Sequence, residues 1–326
     1  MANRNIGAAM ADLILLGDIG GTNSRFALVD RGEVLPQDTR RYENALFPSL
    51  QDAIEGYVAD VARRPSAAVV AIAGPVAGEI VGPTNLPRWR FRPAGLATSL
   101  GFSRVGVIND FEAVAYALPH LAASEASTIG DVTAAVAEAN MAVLGPGTGL
   151  GVGALVRARG GWAAVPSEGG HAEIGAPVGA WAAVHEIIRR QVGRVSGEHV
   201  LSGPGLERVD AALRQLAGRK ERFSAAEIGA RALADQDAVA VEAVKLFFDY
   251  LARFAGDIAL MFAAKGGLFL YGGVVQKLSA LLEGDRFRTA FEAKSPLEHF
   301  VEKIPVRLIT HPAPGLIGCA AVAALG

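Results

Sequence analysis

The segment Leu13–Val29 reads LILLGDIGGTNSRFALV and joins two apolar runs through a glycine-rich turn. The runs Leu13–Leu16 and Arg25–Val29 predict two β-strands, because short aliphatic runs bounded by glycine are typical of buried strands. A similar segment comes later, where Ala142–Leu144 precedes the glycines of Gly145–Gly149 and Gly153–Val156 follows them. Both segments predict a strand, a glycine-rich turn and a second strand, which suggests two related domains facing one ligand.

The rest of the chain alternates aliphatic runs with helical periods, which predicts an α/β protein. The other predicted strands are Ala68–Ile72, Val105–Ile108, Leu268–Tyr271 and Val306–Ile309. The predicted helices are Ser49–Ala62, Phe111–Ala117, Trp181–Val192, Ala225–Leu233 and Asp237–Phe262.

Composition excludes several classes of protein. The 326 residues are 51% hydrophobic and 20% charged, which argues against disorder and allows one large or two ordinary domains. A net charge of −2 without a long basic run argues against a nucleic-acid partner. The one cysteine, Cys319, permits neither a disulfide framework nor a thiolate zinc site, and it is compatible with a cytoplasmic location.

The start of the chain and one long uncharged stretch were candidates for targeting or membrane segments. Residues 1–12 lack an apolar core, so they predict a frayed tail and no secretory signal. The stretch Ala139–Val156 has the length of a membrane span but contains five glycines and Pro146. Such a sequence predicts a strand, a loop and a strand, and no membrane association.

The two glycine-rich turns predict phosphate binding, because backbone N–H groups converge on oxygen where side chains are missing. A Walker A loop is excluded since Gly-Lys occurs nowhere, and the strand that follows each turn argues against a dinucleotide-binding fold. Simple hairpin turns are the alternative for either turn taken alone. Asp18 beside the first turn and a threonine in each turn favour phosphate binding.

Carboxylates and one histidine form the remaining candidates for chemistry. Asp110 follows the strand that ends at Asn109, which places a carboxylate at the carboxyl end of a strand, where α/β sheets bind ligands. Asp110 could equally cap the helix that begins there, and one residue can do both. Glu168 and His171 flank paired glycines, where the alternatives are a structural histidine or a metal ligand. Glu198 alone is typical of a solvated surface residue.

Taken together, these segments closely resemble the bacterial glucokinases of the hexokinase/actin-like ATPase superfamily, outside the ROK group, whose zinc-binding cysteine motif is missing. The resemblance runs from about Leu13 to the C-terminus. It is carried by Gly17–Arg25, Ala71–Pro75, Thr84-Asn85 with Trp89, Ile108–Phe111, Gly145–Gly151, Glu168–His171, Glu198 with Val200–Leu206, and Gly272–Val274.

The resemblance implies a fold and an assembly. The fold is a two-domain actin-like ATPase (ribonuclease H-like) α/β fold with a deep interdomain cleft. The small domain would comprise residues 1–120 plus 311–326, including a returning helix near Pro314–Leu325, and the large domain residues 121–310. Related enzymes are commonly homodimers in the cytoplasm.

The resemblance also implies ATP-dependent phosphorylation of glucose at its 6-hydroxyl, with Mg²⁺. Asp110 would be the general base, and Asp18 would hold Mg²⁺, usually through water. The nucleotide would contact Asp18, Gly20, Gly21, Thr22, Asn23, Gly147, Thr148, Gly149, Gly272 and Gly273. The sugar would contact Asn85, Asn109, Asp110, Glu168, His171 and Glu198; the sequence around Asn85 departs from the family's usual spacing.

Three alternatives remain open at this point. Another hexose, such as fructose, mannose or an N-acetylated sugar, could be the acceptor. Polyphosphate or ADP could be the phosphoryl donor. The chain could also be a non-catalytic nucleotide switch or sugar-sensing regulator on the same fold, although no helix-turn-helix segment precedes Leu13 and the apparent base is present.

Overall fold

Two mixed β-sheets with related strand orders organise the chain. The computed structural model describes residues 13–325, and the predicted tail at residues 1–12 lies outside them. The strands are β1 Ile14–Ile19, β2 Asn23–Asp30, β3 Glu33–Glu43, β4 Ala67–Ile72, β5 Val105–Asn109, β6 Ala126–Ile129, β7 Met141–Pro146, β8 Leu150–Ala158, β9 Gly161–Val165, β10 Gly267–Leu270 and β11 Val306–Ile309.

Helices cover the sheets. They are α1 Leu50–Val61, α2 Pro93–Leu100, α3 Asp110–Ala117, α4 Ala182–Val192, α5 Gly197–Val200, α6 Gly203–Leu216, α7 Ala225–Leu233, α8 Ala238–Met261, α9 Gly273–Leu278, α10 Gly284–Glu292, α11 Glu298–Val301 and α12 Pro314–Ala324. None of the helices formed by residues 13–325 combines the length and apolar composition of a membrane span.

The described residues divide into two compact units. The first contains the residues up to His120 and those from Pro312 onward, and the second is Leu121–His311. In the first unit the strand order is β3-β2-β1-β4-β5, with β1, β4 and β5 parallel and β2 and β3 antiparallel to their neighbours. In the second the order is β6-β11-β10-β7-β8-β9, and β7, β10 and β11 are the parallel strands.

The repeat that the sequence suggested is therefore a repeat of topology. In each unit a three-stranded antiparallel meander, β1-β2-β3 or β7-β8-β9, is followed by a strand that pairs parallel to its first member, β4 or β10, and by a further parallel strand that pairs with that one, β5 or β11. The glycine-rich turn joins the first two strands of each meander. Each turn consequently lies at the carboxyl end of the first strand of its meander, β1 or β7. The carboxyl end of the parallel neighbour, β4 or β10, lies beside it.

The sheet of the first unit is buried on both faces, because side chains alternate between the faces of a strand. One face carries Leu15, Phe26 and Leu28 against α1 and its buried Tyr57. The other face carries Leu16, Ala71 and Ile108 against α3 and α12. In the second unit a larger core is built around α8, whose residues are buried on most sides.

The predicted α/β pattern is confirmed, and so are all the strands and helices predicted from residue periodicity, with ends shifted by at most three residues. The uncharged stretch is indeed the β7-turn-β8 hairpin. Elements that were not predicted include β3, β6, β9, α2, α6, α9 and α10.

Candidate active site

The first glycine-rich turn, Gly20–Thr22, links β1 to β2. Its backbone is closed by a hydrogen bond from Gly20 N–H to the carbonyl of Asn23, at 3.0 Å. Asn44, which follows β3, donates its side-chain amide to the Gly20 carbonyl at 2.8 Å and its backbone N–H to the Thr22 carbonyl at 2.9 Å. Gly21 and Thr22 themselves are exposed, as a turn that accepts a ligand must be.

Asp18 lies on β1, directly opposite Arg25 on β2. Its Oδ2 is 3.6 Å from Arg25 Nη1, and its side chain is 17% exposed. Burial raises the pKa of this carboxyl, while the neighbouring Arg25 opposes that shift. The first turn of α12 lies against it, because a Cβ placed on Gly315 would be 3.0 Å from the Asp18 Cγ.

Asp110 lies at the same edge of the sheet as Asp18. The register pairs Ile19 with Ile72 and Ile72 with Asn109, so the carboxyl ends of β1, β4 and β5 are level. The side chain of Asn109, and not that of Asp110, caps α3: Asn109 Oδ1 accepts hydrogen bonds from Phe111 N–H and Glu112 N–H. The alternative of Asp110 as the N-cap is therefore wrong, and Asp110 is the first helical residue.

Burial raises the pKa of Asp110 to about 6. A hydrogen bond that Phe111 N–H donates to Asp110 Oδ1, at 3.0 Å, counteracts part of this effect, whereas the charge of Asp18 adds to it. A carboxylate with such a pKa is ionised at neutral pH and is a stronger base than an ordinary aspartate. The site thus provides a group suited to accepting a proton.

Asn85 is exposed and lies beside the first glycine-rich turn, where a Cβ on Gly21 would be 3.5 Å from the Asn85 Cβ. The preceding Thr84 donates its backbone N–H to the Ala73 carbonyl, at 3.0 Å. The adjoining Gly74 carbonyl accepts the Asn109 side-chain amide at 3.1 Å. The first unit therefore brings Asp18, the turn, Asn85, Asn109 and Asp110 to one edge of its sheet.

In the second unit the turn Gly147–Gly149 is held by Glu198. Glu198 Oε2 accepts the Leu150 N–H at 3.0 Å, and a Cβ on Gly149 would be 2.5 Å from the same oxygen. The start of α6 also contacts the turn, since Gly203 N–H donates to the Gly147 carbonyl at 2.8 Å. Thr148, at the tip, is exposed.

Glu168 and His171 lie next to this turn because the glycines between them pack flat on β8. A Cβ on Gly170 would overlap the carbonyl of Leu150. His171 Nδ1 is 4.0 Å from Glu198 Oε1, and the His171 side chain is 59% exposed against 34% for Glu198. His171 and Glu198 thus lie close together at the beginning of β8, with Glu168 three residues before His171.

Gly272 and Gly273 start α9, immediately after β10. Gly272 has a φ of +150°, and a Cβ there would overlap the carbonyl of Pro146, so only glycine fits beside the end of β7. A surface cavity of about 780 Å³ opens next to these glycines. Gly147 and Thr148 line one part of it, and residues of α6, α7 and α9, Gly273 among them, line the rest, with Glu207 and Lys277 as its charged members.

Several of these contributors were missed by sequence reasoning. Asn44 and Gly315 carry no local signal, because their importance depends on distant contacts with Gly20 and Asp18. The segment Val200–Leu206 resembles the family, but the sequence assigns none of its residues to the nucleotide. In the structure, Gly203, Pro204 and Leu206 of this segment line the cavity.

The residues around Asp18 fit a magnesium ion held largely by water and phosphate. The Asp18 carboxylate offers hard oxygen ligands. Arg25 Nη1 is 3.6 Å from Asp18 Oδ2. Among residues 13–325 there is no group of three or more histidine, cysteine or acidic side chains that could enclose a metal. Mg²⁺ keeps several waters and commonly binds through one or two carboxylates and substrate phosphates, so one carboxylate is an adequate protein contribution.

Comparison with known proteins identifies the family. The glucokinase family model matches residues 15–325. The glucokinase of Chelativorans sp. (strain BNC1) is 43% identical over 312 residues, which are 95% of this chain and 91% of that protein. The glucokinase of an Antarctic psychrotroph has a crystal structure that superposes with a TM-score of 0.88 at 35% identity, covering 97% of this chain and 99% of that one.

A more distant crystal structure, glucokinase from Balamuthia mandrillaris in complex with glucose, superposes with a TM-score of 0.78 at 24% identity, covering 98% of this chain and 96% of that one. These likenesses confirm the predicted actin-like ATPase fold. The match to the family model extends over nearly all the described residues. The chain therefore belongs to the glucokinase family of enzymes.

Proposed function

We propose that this enzyme transfers the γ-phosphoryl group of ATP to the 6-hydroxyl of glucose, with Asp110 as the general base. The observation that carries the proposal is the Asp110 carboxylate, half-buried at the carboxyl edge of the first sheet with a pKa of about 6. The family match and the glucose bound to the Balamuthia glucokinase support glucose as the acceptor.

The reaction needs a base near neutral pH. Asp110 accepts the proton of the 6-hydroxyl while that oxygen bonds to the γ-phosphorus, and the bond to the bridging oxygen breaks to release ADP. A base is most effective when its pKa lies near the working pH, so a raised aspartate pKa suits this step. Positioning and neutralisation of charge supply most of the remaining acceleration in phosphoryl transfer.

The nucleotide would be held by the two glycine-rich turns. In this proposal the backbone around Gly20–Asn23 and around Gly147–Gly149 binds phosphate oxygens, and Gly272 and Gly273 contact the adenosine. The 780 Å³ cavity beside Gly147, Thr148 and Gly273 has room for a nucleoside, which supports that assignment. Mg²⁺ would bind at Asp18 and neutralise phosphate charge when present.

The sugar hydroxyls would be bound by Asn85, Asn109, Glu168, His171 and Glu198. Sugar hydroxyls both donate and accept, so carboxylates, amides and an imidazole can satisfy each of them. Two of these groups also have structural duties, since Asn109 caps α3 and Glu198 binds Leu150 N–H. We further propose that the two compact units are the predicted domains of a cytoplasmic homodimer.

The test is the substitution Asp110→Asn, which keeps the size of the side chain and removes the base. Turnover of glucose and ATP, followed by coupled detection of ADP, should fall by at least ~10²-fold, the usual contribution of a positioned base. Binding of MgATP, measured by calorimetry, should be retained.

The matched control is Asp131→Asn, because Asp131 is exposed in the loop after β6. This variant should keep the turnover of the unmodified enzyme. Near-normal turnover of Asp110→Asn would remove Asp110 from the role of base. Running the same assay with other hexoses and with polyphosphate or ADP as donor would test the choice of substrates.

A further inference from the structure

Asn44 makes more hydrogen bonds to its surroundings than its place just after an edge strand suggests. Its side chain is buried, with 1% exposed surface. The amide Nδ2 donates to the Gly20 carbonyl at 2.8 Å, and Oδ1 accepts from Ser24 Oγ at 2.7 Å. The backbone N–H donates to the Thr22 carbonyl at 2.9 Å, and the backbone carbonyl accepts Arg88 Nη2 at 2.8 Å.

Two of these bonds fix the backbone of the first glycine-rich turn. A trans peptide holds its carbonyl and the following N–H on opposite sides. Because Asn44 binds the Gly20 carbonyl, the Gly21 N–H must point away from Asn44. Gly21 is exposed, so that N–H is directed out of the packed side of the turn, where a phosphate oxygen could accept it.

Apart from the bonds to Asn44, only the hydrogen bond from Gly20 N–H to the Asn23 carbonyl is described within the turn. Gly20 and Gly21 have no side chains to restrict their dihedral angles, so an unbraced turn would sample many conformations. Asn44 also connects the turn to the segment that carries Asn85. Arg88 donates to the Asn44 carbonyl, and Asn85 lies against Gly21.

We propose that Asn44 is a positioning residue, which holds the turn Gly20–Thr22 with its Gly21 N–H presented to the phosphates of the nucleotide. This inference rests on the proposed function, and it adds a residue that does not itself contact either substrate. Its role is expressed through the affinity for nucleotide, since the side chain acts on the turn and on no proposed sugar ligand directly.

The experiment uses Asn44→Asp in the full-length chain. Aspartate has nearly the same shape, and when ionised it still accepts the Ser24 hydroxyl but cannot donate to the Gly20 carbonyl. The KM for MgATP should rise about tenfold, the size expected from the loss of one hydrogen bond. The KM for glucose should change less than twofold, and calorimetry with a non-hydrolysable ATP analogue should show the same loss.

Ser24→Ala is the matched control, because it removes the Ser24–Asn44 bond and leaves the Asn44–Gly20 bond in place. It should keep the KM for MgATP within about twofold of the unmodified enzyme. Asn44→Ala removes both side-chain bonds and should resemble Asn44→Asp. All variants are compared well below their unfolding midpoints, so that partial unfolding does not contribute.

The outcomes separate this inference from the proposed function. If the unmodified enzyme phosphorylates glucose with ATP but Asn44→Asp keeps its KM for MgATP, the role of Asn44 is refuted and the function stands. An equal rise in both KM values in Asn44→Asp also refutes it, because that result indicates general loosening. If the unmodified enzyme does not phosphorylate glucose, the proposed function itself fails.

Discussion

Asp110 is a half-buried carboxyl group at the end of a strand, and the charge of a second carboxyl, Asp18, acts on it. The groups that shift its pKa downward are hydrogen-bond donors of its own helix turn, and they do not offset the effect of burial. Ionising Asp110 therefore costs the folded enzyme more free energy than ionising an ordinary aspartate does. An arrangement that weakens the fold in this way is expected at a site where the basicity of the carboxylate is used.

The first prediction concerns the pH dependence of activity. The general base must be ionised, so kcat/KM for glucose should fall as the pH drops through about 6, where Asp110 takes up a proton. An ordinary aspartate would retain activity to about pH 4. The check is a profile of kcat/KM from pH 5 to 8 at constant ionic strength, with the coupling enzymes in excess; activity unchanged down to pH 5 would contradict the raised pKa.

The second prediction concerns stability. The pKa of Asp110 is about 6 in the fold, above the 3.8 of an ordinary aspartate, so the folded state holds the proton more tightly. Its contribution to stability is then full below pH 3.8 and is lost as the pH rises through about 6. The ionised group costs up to about 3 kcal/mol at pH 8, so Asp110→Asn should be more stable than the parent there.

Denaturant unfolding at two pH values checks this second prediction. Near pH 4 the carboxyl is mostly protonated in the fold, and the Asn variant should show almost no advantage over the parent. Asp131→Asn, at an exposed position, should show no advantage at either pH. A variant that is less stable than the parent at pH 8 would mean that the carboxylate is better solvated than its burial indicates.

At the scale of elements, close packing of glycines on strands positions the polar groups. Gly169 and Gly170 lie flat against the beginning of β8, near Val152 and Leu150 respectively. Glu168 directly precedes this glycine pair and His171 directly follows it. The contact with β8 thus brings His171 near Glu198. The glycine pair therefore acts through geometry, because it lets a non-helical segment approach a strand backbone that a side chain would keep away.

The third prediction follows from that contact. Gly170→Ala would place a methyl group on the Leu150 carbonyl, so the segment must move away from β8 and carry His171 with it. The KM for glucose should rise at least tenfold, the effect of losing about one well-made hydrogen bond to the sugar. The control is Gly160→Ala, because a Cβ at Gly160 meets nothing within 4 Å. Equal KM values for the two variants would contradict the positioning role.

Which elements could be predicted depended on how they are buried. Strands such as β4 and β7, buried at every position, read as continuous apolar runs and were found. β3 was missed because it is an exposed edge strand with charged residues and Pro36, features that commonly protect sheet edges. α6 was missed because it opens with Gly203-Pro204-Gly205, which resembles a turn, although Ser202 caps it and Pro204 lies in its first turn.

At the scale of the whole molecule, the same topology is used twice, and in both units a later polar side chain holds the glycine-rich turn. Asn44 binds the turn after β1, and Glu198 binds the residue that follows the turn after β7. The glycines themselves could be found from sequence, because local composition marks a turn. The side chains that hold these turns could not be found from sequence. Asn44 lies 24 residues from Gly20 and Glu198 lies 48 residues from Leu150, so only the fold brings them into contact.

The chain returns to its first unit at the end, and this return bears on the proposed site. α12 packs against α3, where a Cβ on Gly318 would overlap the Ala113 carbonyl, and its first turn lies against Asp18. α3 begins at Asp110. The two carboxylates are thus supported by a pair of helices from opposite ends of the sequence, and their spacing depends on how closely those helices approach.

Gly318→Ala should therefore disturb the proposed site from a distance. The added methyl group forces α12 away from α3, and such overpacking typically costs about 1–3 kcal/mol of unfolding free energy. Water reaching Asp110 should lower its pKa, so the acid limb of the kcat/KM profile should move to lower pH as turnover falls. Gly95→Ala, in the exposed turn of α2, meets only ordinary contacts and should be neutral or slightly stabilising. An unshifted profile in a destabilised Gly318→Ala enzyme would show that α12 supports the fold without tuning the base.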